Sequence, residues 1–276
     1  MQLAFSTLGC PEWTFAQVIE HAKRLGYAGI EFRGLQGEIE LPQVPEFSPT
    51  CIASTHKRLR DAGLRAACMS SSVAVAFTGD EADRHMAVAT VESYIEMARE
   101  MEAPYVRLFG GKPPVDLLPA EATDRAVGML RRIGDFAQPR GTTVVMETHD
   151  AFVESSKLAD LIRLTNHPAI KVLWDIHHPY RIAGEGIPAT MHNLKDLIYY
   201  THVKDSVLND DGEHHRYMLV GHGDVPLKEA LHALKDCNYD GFLTLEWEKR
   251  WVPDLEPPEI AFPQYIEQMN AWLAEL

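Results

Sequence analysis

Residues 143–148 read TVVMET, residues 171–176 read KVLWDI, residues 199–204 read YYTHVK and residues 242–247 read FLTLEW. Each segment is mostly apolar and places an acidic or histidine side chain near its end. Strands that are buried on both faces show such nearly continuous apolar runs, which are typical of parallel sheets covered by helices. The segments therefore predict four buried parallel strands that carry polar residues at their carboxyl ends.

Four further strand patterns precede these segments. They are LAFST (3–7), GIEFR (29–33), AACMS (66–70) and YVRLFG (105–110). Helical patterns lie between the strands, and the first begins at Thr14, which together with Gln17 resembles a capping box. Apolar stripes at helical spacing follow at Phe15, Val18, Ile19, Ala22 and Leu25, at Val88, Val91, Ile95 and Ala98, and at Phe262, Ile266, Met269, Leu273 and Leu276. Eight strands alternating with helices predict an α/β fold, a (β/α)8 barrel that forms a single domain over residues 1–276.

A doubly wound open sheet is the alternative architecture, but its usual nucleotide-binding signatures are missing. The G-x-G at Gly221-His222-Gly223 does not connect a strand directly to a helix. Gly110-Gly111-Lys112 lacks the upstream glycine of a phosphate-binding loop and is followed by proline. The barrel is therefore the preferred prediction.

Composition narrows the class of protein. The formal net charge is −14, hydrophobic residues make up 46% of the 276 positions and charged residues 24%. This apolar content argues against wholesale disorder, and the acidic balance argues against nucleic-acid and anionic-membrane partners. The four cysteines are scattered, and neither a signal peptide nor a membrane span is apparent. We expect a soluble cytoplasmic protein.

Four residues of types that bind metals stand at the ends of the last four strands: Glu147, Asp175, His202 and Glu246. Any one of them alone is more often a helix cap or a surface charge. Together, however, they would point into one barrel mouth and repel one another without a cation. Three carboxylates and one imidazole favour a hard or borderline divalent ion. The set therefore predicts a site for Mn²⁺, with Mg²⁺, Co²⁺ or Zn²⁺ as alternatives.

The segments VMETHD, WDIHH, THVKD and LEWE resemble the sugar isomerase and epimerase barrels of the xylose isomerase-like superfamily. By pattern the nearest relatives are ketose 3-epimerases, hydroxypyruvate isomerases and inosose dehydratases, and the resemblance spans nearly the whole chain. It implies that Glu147, Asp175, His202 and Glu246 bind one divalent metal. It also implies that Glu147 and Glu246 are the catalytic acid and base.

Such a centre suits proton transfer on a small sugar or keto-sugar. A metal that binds adjacent carbonyl and hydroxyl oxygens acidifies the C–H between them, and an enediolate forms. One carboxylate removes the proton and a second returns it, either to the same carbon in epimerisation or to its neighbour in isomerisation. Members of the family often form dimers or tetramers, so a homo-oligomer is a further expectation.

Several residues are candidates for binding the substrate. The family pattern D-x-x-H indicates His178, although strict strand alternation would favour His177. Lys204 shares a face with His202 and could polarise a carbonyl, and His149 shares the face of Glu147. Arg216 resembles the arginine of the R-x-x-P-G turn of the epimerases, but here the proline is absent and the spacing is one residue longer.

The loops after the strands, at 34–50, 110–120, 178–190 and 205–226, would select the substrate. An acidic mouth favours a neutral polyol as substrate. A phosphosugar is the alternative, because the loops and strand ends also carry the basic residues Arg33, Lys112, Arg181 and Arg216. The early-strand residues Glu31 and Arg107 would line the barrel mouth or pair inside it. Trp13 and Phe109 would form an apolar wall or simply pack, and His214 and His215 form an exposed pair.

Three other functions compete with the isomerase or epimerase. A dehydratase would use the same enediolate to expel a hydroxyl group. An apurinic endonuclease shares the four positions but needs more histidines on earlier strands, and the third and fourth strands here end in Met69-Ser70-Ser71 and Leu108-Phe109-Gly110. A barrel that binds sugar without catalysis is the remaining alternative.

Overall fold

The structure, a computed structural model, describes residues 1–75, 80–112 and 119–276. Within these ranges eight parallel strands close into a barrel in which the first strand pairs with both the second and the last. In order around the barrel, the strands are β1 (Gln2–Ser6), β2 (Gly29–Phe32), β3 (Arg65–Ala74), β4 (Tyr105–Phe109), β5 (Thr143–Glu147), β6 (Ile170–Asp175), β7 (Ile198–Val203) and β10 (Phe242–Leu245). The closed barrel confirms the predicted fold, and every predicted strand starts within one residue of an observed one.

Helices connect the strands around the outside of the barrel. They are α1 (Phe15–Leu25), α2 (Ile52–Asp61), α3 (Glu81–Glu100), α4 (Pro119–Ala137), α5 (Ser155–Thr165), α6 (His177–Ala183), α7 (Ile187–Leu194), α8 (Leu227–Asp236) and α9 (Pro258–Glu275). The predicted capping box of Thr14 and Gln17 is present at the start of α1, and Gly26 ends that helix at a φ of 82°. Among the described residues no helix combines the length and the apolar character that a bilayer span requires.

Strand alternation divides the apolar side chains into two cores. Outward-facing residues pack beneath the helices, as Phe5 does against Phe262 of α9. Inward-facing residues form a smaller plug inside the barrel, made of Ala4, Ala67, Cys68, Val145, Leu173, Tyr200 and Phe242. One step nearer the carboxyl ends of the strands, the inward positions become polar, which places the charged residues in a layer above this plug.

Two segments predicted as loops contain regular structure. Residues 178–190 hold most of α6 and the start of α7, because Asp175 caps the first turn of α6. Residues 205–226 contain an antiparallel hairpin of β8 (Asp205–Leu208) and β9 (His215–Met218). The loop 34–50 includes two short 3₁₀ turns. Of the loop predicted at 110–120, residues 113–118 lie outside the described residues.

Tyr200 supports the polar layer from below, because its hydroxyl accepts a hydrogen bond of 2.7 Å from Thr244 Oγ1 inside the barrel. We predict that Tyr200→Phe lowers the free energy of unfolding by about 1–3 kcal/mol, since a buried donor loses its acceptor. The neighbouring Tyr199 is 40% exposed, so Tyr199→Phe should change the free energy by less than about 0.5 kcal/mol. Urea unfolding of both variants measures the difference, and equal effects would contradict this role of Tyr200.

Candidate metal centre

The four residues predicted as metal ligands lie at the carboxyl ends of adjacent strands. Glu147 and Asp175 are the last residues of β5 and β6, His202 is next to last in β7, and Glu246 follows β10 directly. The structure brings one ligand atom from each to within 4.8 Å of the others, and all four side chains are buried. The strand ends therefore place three carboxylates and one imidazole around a single point.

The two carboxylate oxygens of Asp175 have different roles, one in capping a helix and the other in facing the centre. Oδ1 accepts hydrogen bonds from the backbone N–H groups of His177 and His178, at 2.8 and 3.2 Å, where α6 begins. These bonds fix the side chain, so Oδ2 is directed at the centre. Asp175 therefore caps a helix and faces the centre at the same time, two roles that had been alternatives in the sequence.

The orientation of His202 is set from behind by Glu31. Nε2 of His202 lies 2.8 Å from Glu31 Oε2, and Nδ1 lies 3.1 Å from Glu246 Oε2. With Nε2 donating to Glu31, Nδ1 is free to present its lone pair to a metal, as in many metal sites. Burial lowers the pKa of His202, but Glu246 and Glu31 together raise it well above its usual value. The imidazole therefore lies in a strongly negative environment.

Three buried atoms of the cluster contact charged or titratable neighbours but form no well-aligned hydrogen bond among the described residues. They are Glu147 Oε2, Asp175 Oδ2 and His202 Nδ1. Buried polar atoms nearly always have a hydrogen-bond partner, and a buried atom without one is often satisfied by a bound ion or water. These oxygen and nitrogen atoms fit a divalent metal.

The charges of the site support the same conclusion. Among the described residues, five buried carboxylates at or just behind the centre face three buried cationic side chains: Glu31, Glu147, Asp175, Glu246 and Glu248 against Arg33, Arg107 and Lys204. With neutral histidines the carboxylates exceed the cations by two charges. One divalent cation would neutralise that excess, and isolated buried charge is otherwise costly.

Each of the two predicted catalytic carboxylates lies beside a cation of its own. Arg107 Nη1 is 3.5 Å from Glu147 Oε2, and Lys204 Nζ contacts Glu246 Oε2. Burial and Glu246 raise the pKa of Glu147, yet Arg107 and His202 bring it below its usual value. Burial also raises the pKa of Glu246, but His202 and Lys204 hold it well below the usual range. Both side chains are therefore ionised at neutral pH.

Lys204 is the most heavily paired cation of the centre. Its Nζ lies 2.8 Å from both Asp175 Oδ2 and Glu248 Oε1, in addition to its contact with Glu246. Burial lowers the pKa of Lys204, but Asp175, Glu246 and Glu248 raise it well above the usual value. The sequence analysis missed Glu248, although this residue follows Glu246 by two positions and the alternation of β10 predicts the same face.

A cavity of about 300 Å³ opens above the cluster. Besides the charged residues it is lined by Leu8, Phe109, His149, His178, Tyr217 and Trp251. His178 Nδ1 is 3.3 Å from Asp175 Oδ2 and 3.8 Å from Glu147 Oε1. Burial, with Lys204, lowers the pKa of His178 well below its usual value, so its ring is neutral. The partly exposed His149 packs edge-on against His178, with 4.8 Å between ring centroids.

The structure distinguishes the two neighbouring histidines. His178 lines the cavity, whereas His177 points to the hairpin, with Nε2 at 2.9 Å from Ser206 Oγ. Because α6 starts at His177, helical geometry replaces strand alternation there. Glu31 and Arg107, expected from the sequence to line the mouth or to pair with one another or with neighbours inside the barrel, pair with His202 and Glu147, and Arg107 also lines the cavity.

Arg216 does not reach the cavity. It lies on β9 opposite Val207 and is exposed, while the next residue, Tyr217, lines the cavity. Successive side chains of a strand point to opposite faces. Because the hairpin directs Tyr217 into the cavity, Arg216 points to solvent. The structure therefore places Arg216 outside the cavity that His149, His178 and Lys204 line.

The other residues that the sequence suggested for substrate binding or packing lie in different environments. Arg33 lines the cavity, Lys112 is exposed, and Arg181 pairs with Asp224. Trp13 is packed in the outer core, whereas Phe109 lines the cavity beneath the Arg107 guanidinium. In the His pair, His214 contacts Asp211 and His215 packs against His177.

Known proteins share this architecture. A family model described as a xylose isomerase-like TIM barrel matches residues 19–276. Fructoselysine 3-epimerase of Shigella flexneri is 23% identical over 202 residues, which cover 71% of this chain and 70% of that protein. The crystal structure of the IOLI protein with a bound zinc atom has a TM-score of 0.84 at 16% identity and covers 100% of this chain and 99% of that one. A probable 3-DHS dehydratase, AsbF of Bacillus anthracis, has a TM-score of 0.78 at 18% identity, with 98% and 99% covered.

Metal binding to the folded chain should raise its stability. At a hundredfold excess of Mn²⁺ over its Kd we expect about 3 kcal/mol of stabilisation, seen as a higher Tm that a chelator reverses. Asp175→Asn keeps the oxygen that caps α6 but replaces Oδ2, so it should abolish the shift. Asp160→Asn on the surface of α5 is the control and should retain the shift. A chain that Mn²⁺ does not stabilise would contradict this prediction.

Proposed function

The chain belongs to the xylose isomerase-like TIM barrel family, and from this premise we propose that it is a divalent-metal-dependent sugar isomerase or epimerase. Its catalytic residues are Glu147 and Glu246. The observation that carries the proposal is the convergence of these two ionised carboxylates with Asp175 and His202 within 4.8 Å, at the base of a cavity. The similarity to a curated sugar 3-epimerase supports the same reaction class.

The proposed ligands of the metal are Glu147, Asp175, His202 and Glu246. Their three oxygens and one nitrogen suit Mn²⁺ first, with Mg²⁺, Co²⁺ or Zn²⁺ as alternatives. When bound, the ion supplies Lewis-acid chemistry that lowers the pKa of a C–H next to the substrate carbonyl. Glu31 contributes from behind the centre, because its hydrogen bond fixes the orientation of His202.

Proton transfer falls to the two ionised carboxylates. One of them removes the proton from the carbon next to the carbonyl, which leaves an enediolate. If the other carboxylate, once it has taken up a proton from water, delivers that proton to the same carbon from the opposite side, the centre is inverted and the sugar is epimerised; the first carboxylate then releases its proton to water. Return of the proton to the neighbouring carbon instead interconverts aldose and ketose. Arg107 beside Glu147 and Lys204 beside Glu246 keep both groups ionised between turnovers.

The remaining cavity residues bind the substrate. The Lys204 ammonium can donate to a substrate oxygen on which negative charge develops. His178 is neutral and can exchange hydrogen bonds with a hydroxyl group, while His149 lies beside it with part of its ring exposed. The cavity of about 300 Å³ is at the small end of ligand sites, which suits a monosaccharide-sized substrate.

The test is hydrogen exchange from solvent. The manganese-loaded protein is incubated in deuterated water with a panel of neutral ketopentoses and ketohexoses. The expected result is incorporation of deuterium at the carbon next to the carbonyl, together with formation of a new epimer or aldose. Mass and NMR spectra detect both changes. Loss of water would instead identify a dehydratase. Binding of metal and sugar without exchange would leave a non-catalytic sugar-binding barrel, and nicking of an abasic-site duplex would indicate an endonuclease.

The two carboxylates can be tested individually. We expect Glu147→Gln and Glu246→Gln to lower the exchange rate per bound metal by about 10²–10⁴-fold, the usual contribution of a general acid or base. Metal content is measured alongside, because both residues are also proposed ligands. Glu154→Gln, which changes an exposed side chain before α5, should leave the rate unaltered. Exchange at the wild-type rate in either active-site variant would refute its role.

A further inference from the structure

We infer that Glu248 is a positioning residue that raises the metal affinity of the centre by giving the Lys204 ammonium a carboxylate partner outside the proposed metal ligands. This inference rests on the metal centre proposed above. It concerns a carboxylate that is not among the four proposed ligands. Among the described residues, Glu248 belongs to none of the clusters whose ligand atoms converge within 4.8 Å.

Lys204 and a divalent cation would compete for the same oxygens. In the structure the ammonium lies 2.8 Å from Asp175 Oδ2 and contacts Glu246 Oε2. Both residues are proposed metal ligands. A cation bound between them would be close to the positive charge of Nζ, and that repulsion is strong because the site is buried.

Lys204 cannot relieve this competition by turning to solvent. Its side chain is only 1% exposed, and leaving a buried ammonium without a counter-ion costs several kcal/mol. The ammonium therefore needs a carboxylate partner that the metal does not use. Of the three carboxylates that contact Nζ, Glu248 is the one outside the proposed ligand set, and its Oε1 already lies 2.8 Å away.

Removal of the charge on Glu248 would leave Lys204 with only the ligand carboxylates as partners. The ammonium would then compete more strongly for Asp175 and Glu246, and metal binding would weaken. We expect Glu248→Gln to raise the Kd for Mn²⁺ by about tenfold, at the lower end of the effect of residues that support metal ligands. Glu248→Asp keeps the charge and should restore much of the affinity.

A double-mutant cycle separates this mechanism from a plain loss of negative charge. Kd for Mn²⁺ is measured by calorimetry for the wild type, Glu248→Gln, Lys204→Met and the double variant. If Glu248 acts through the ammonium, Lys204→Met binds Mn²⁺ more tightly than the wild type, and in that background Glu248→Gln weakens binding much less. Thermal unfolding without metal verifies that each variant is folded.

Each other outcome overturns a defined part of the argument. An equal increase in Kd in both backgrounds means that Glu248 acts by its own charge, and no change in either means that it does not influence the metal. Either result refutes the inference while leaving the proposed function standing. If Glu248→Gln does not fold, the Kd of Lys204→Met for Mn²⁺ tests the inference alone. Weaker or unchanged Mn²⁺ binding in that variant excludes competition between the ammonium and the metal. A wild-type chain that binds no divalent metal refutes the proposed function itself.

Discussion

The dominant constraint on this molecule is the excess of buried negative charge at one end of the barrel. Within the described part of the chain, five buried carboxylates at or just behind the centre meet three buried cationic side chains. Such an arrangement is stable only if every carboxylate has a partner. The paired residues follow this need: Glu31 contacts His202, Glu147 contacts Arg107, and Lys204 contacts the carboxylates that remain. When His202 is neutral, as a metal ligand must be, two negative charges are left over, which the proposed divalent cation would neutralise.

The barrel meets this constraint by separating its interior into layers. The apolar plug fills the barrel below, so the charged side chains are held at a single level near the carboxyl ends of the strands. Asp175 and His202 are each fixed by one atom that faces away from the centre, through the start of α6 and through Glu31. Their other atoms then converge without any freedom of the side chain. Preorganisation of this kind lets a site bind a metal without a further entropic cost of ordering its ligands.

Much of this arrangement was predictable from the sequence because strand alternation is strict inside a barrel. The eight strands and the convergence of four side chains follow from apolar runs that end in polar residues, and the family motifs point to the same positions. Alternation fails where the chain leaves the strand, which is why it favoured His177 while His178 lines the cavity. Arg216 was misplaced because its face depends on the hairpin of β8 and β9, whose register no short sequence pattern predicts. Glu248 was missed although it obeys alternation, because it lies just beyond the segment recognised as a strand.

The distribution of cations bears on the proposal that either of two carboxylates acts as the base. An epimerase that runs in both directions needs a base on each side of the substrate carbon, with similar proton affinity. Against the effect of burial, Arg107 and His202 lower the pKa of Glu147, and His202 and Lys204 hold the pKa of Glu246 well below its usual range, so both carboxylates are ionised at neutral pH. With only one of these cations, the pKa of one carboxylate would be higher than that of the other. Proton transfer would then favour a single direction. In the proposed reaction the two cations keep both carboxylates available as bases, and the stereochemistry at the reacting carbon would depend on how the cavity orients the sugar.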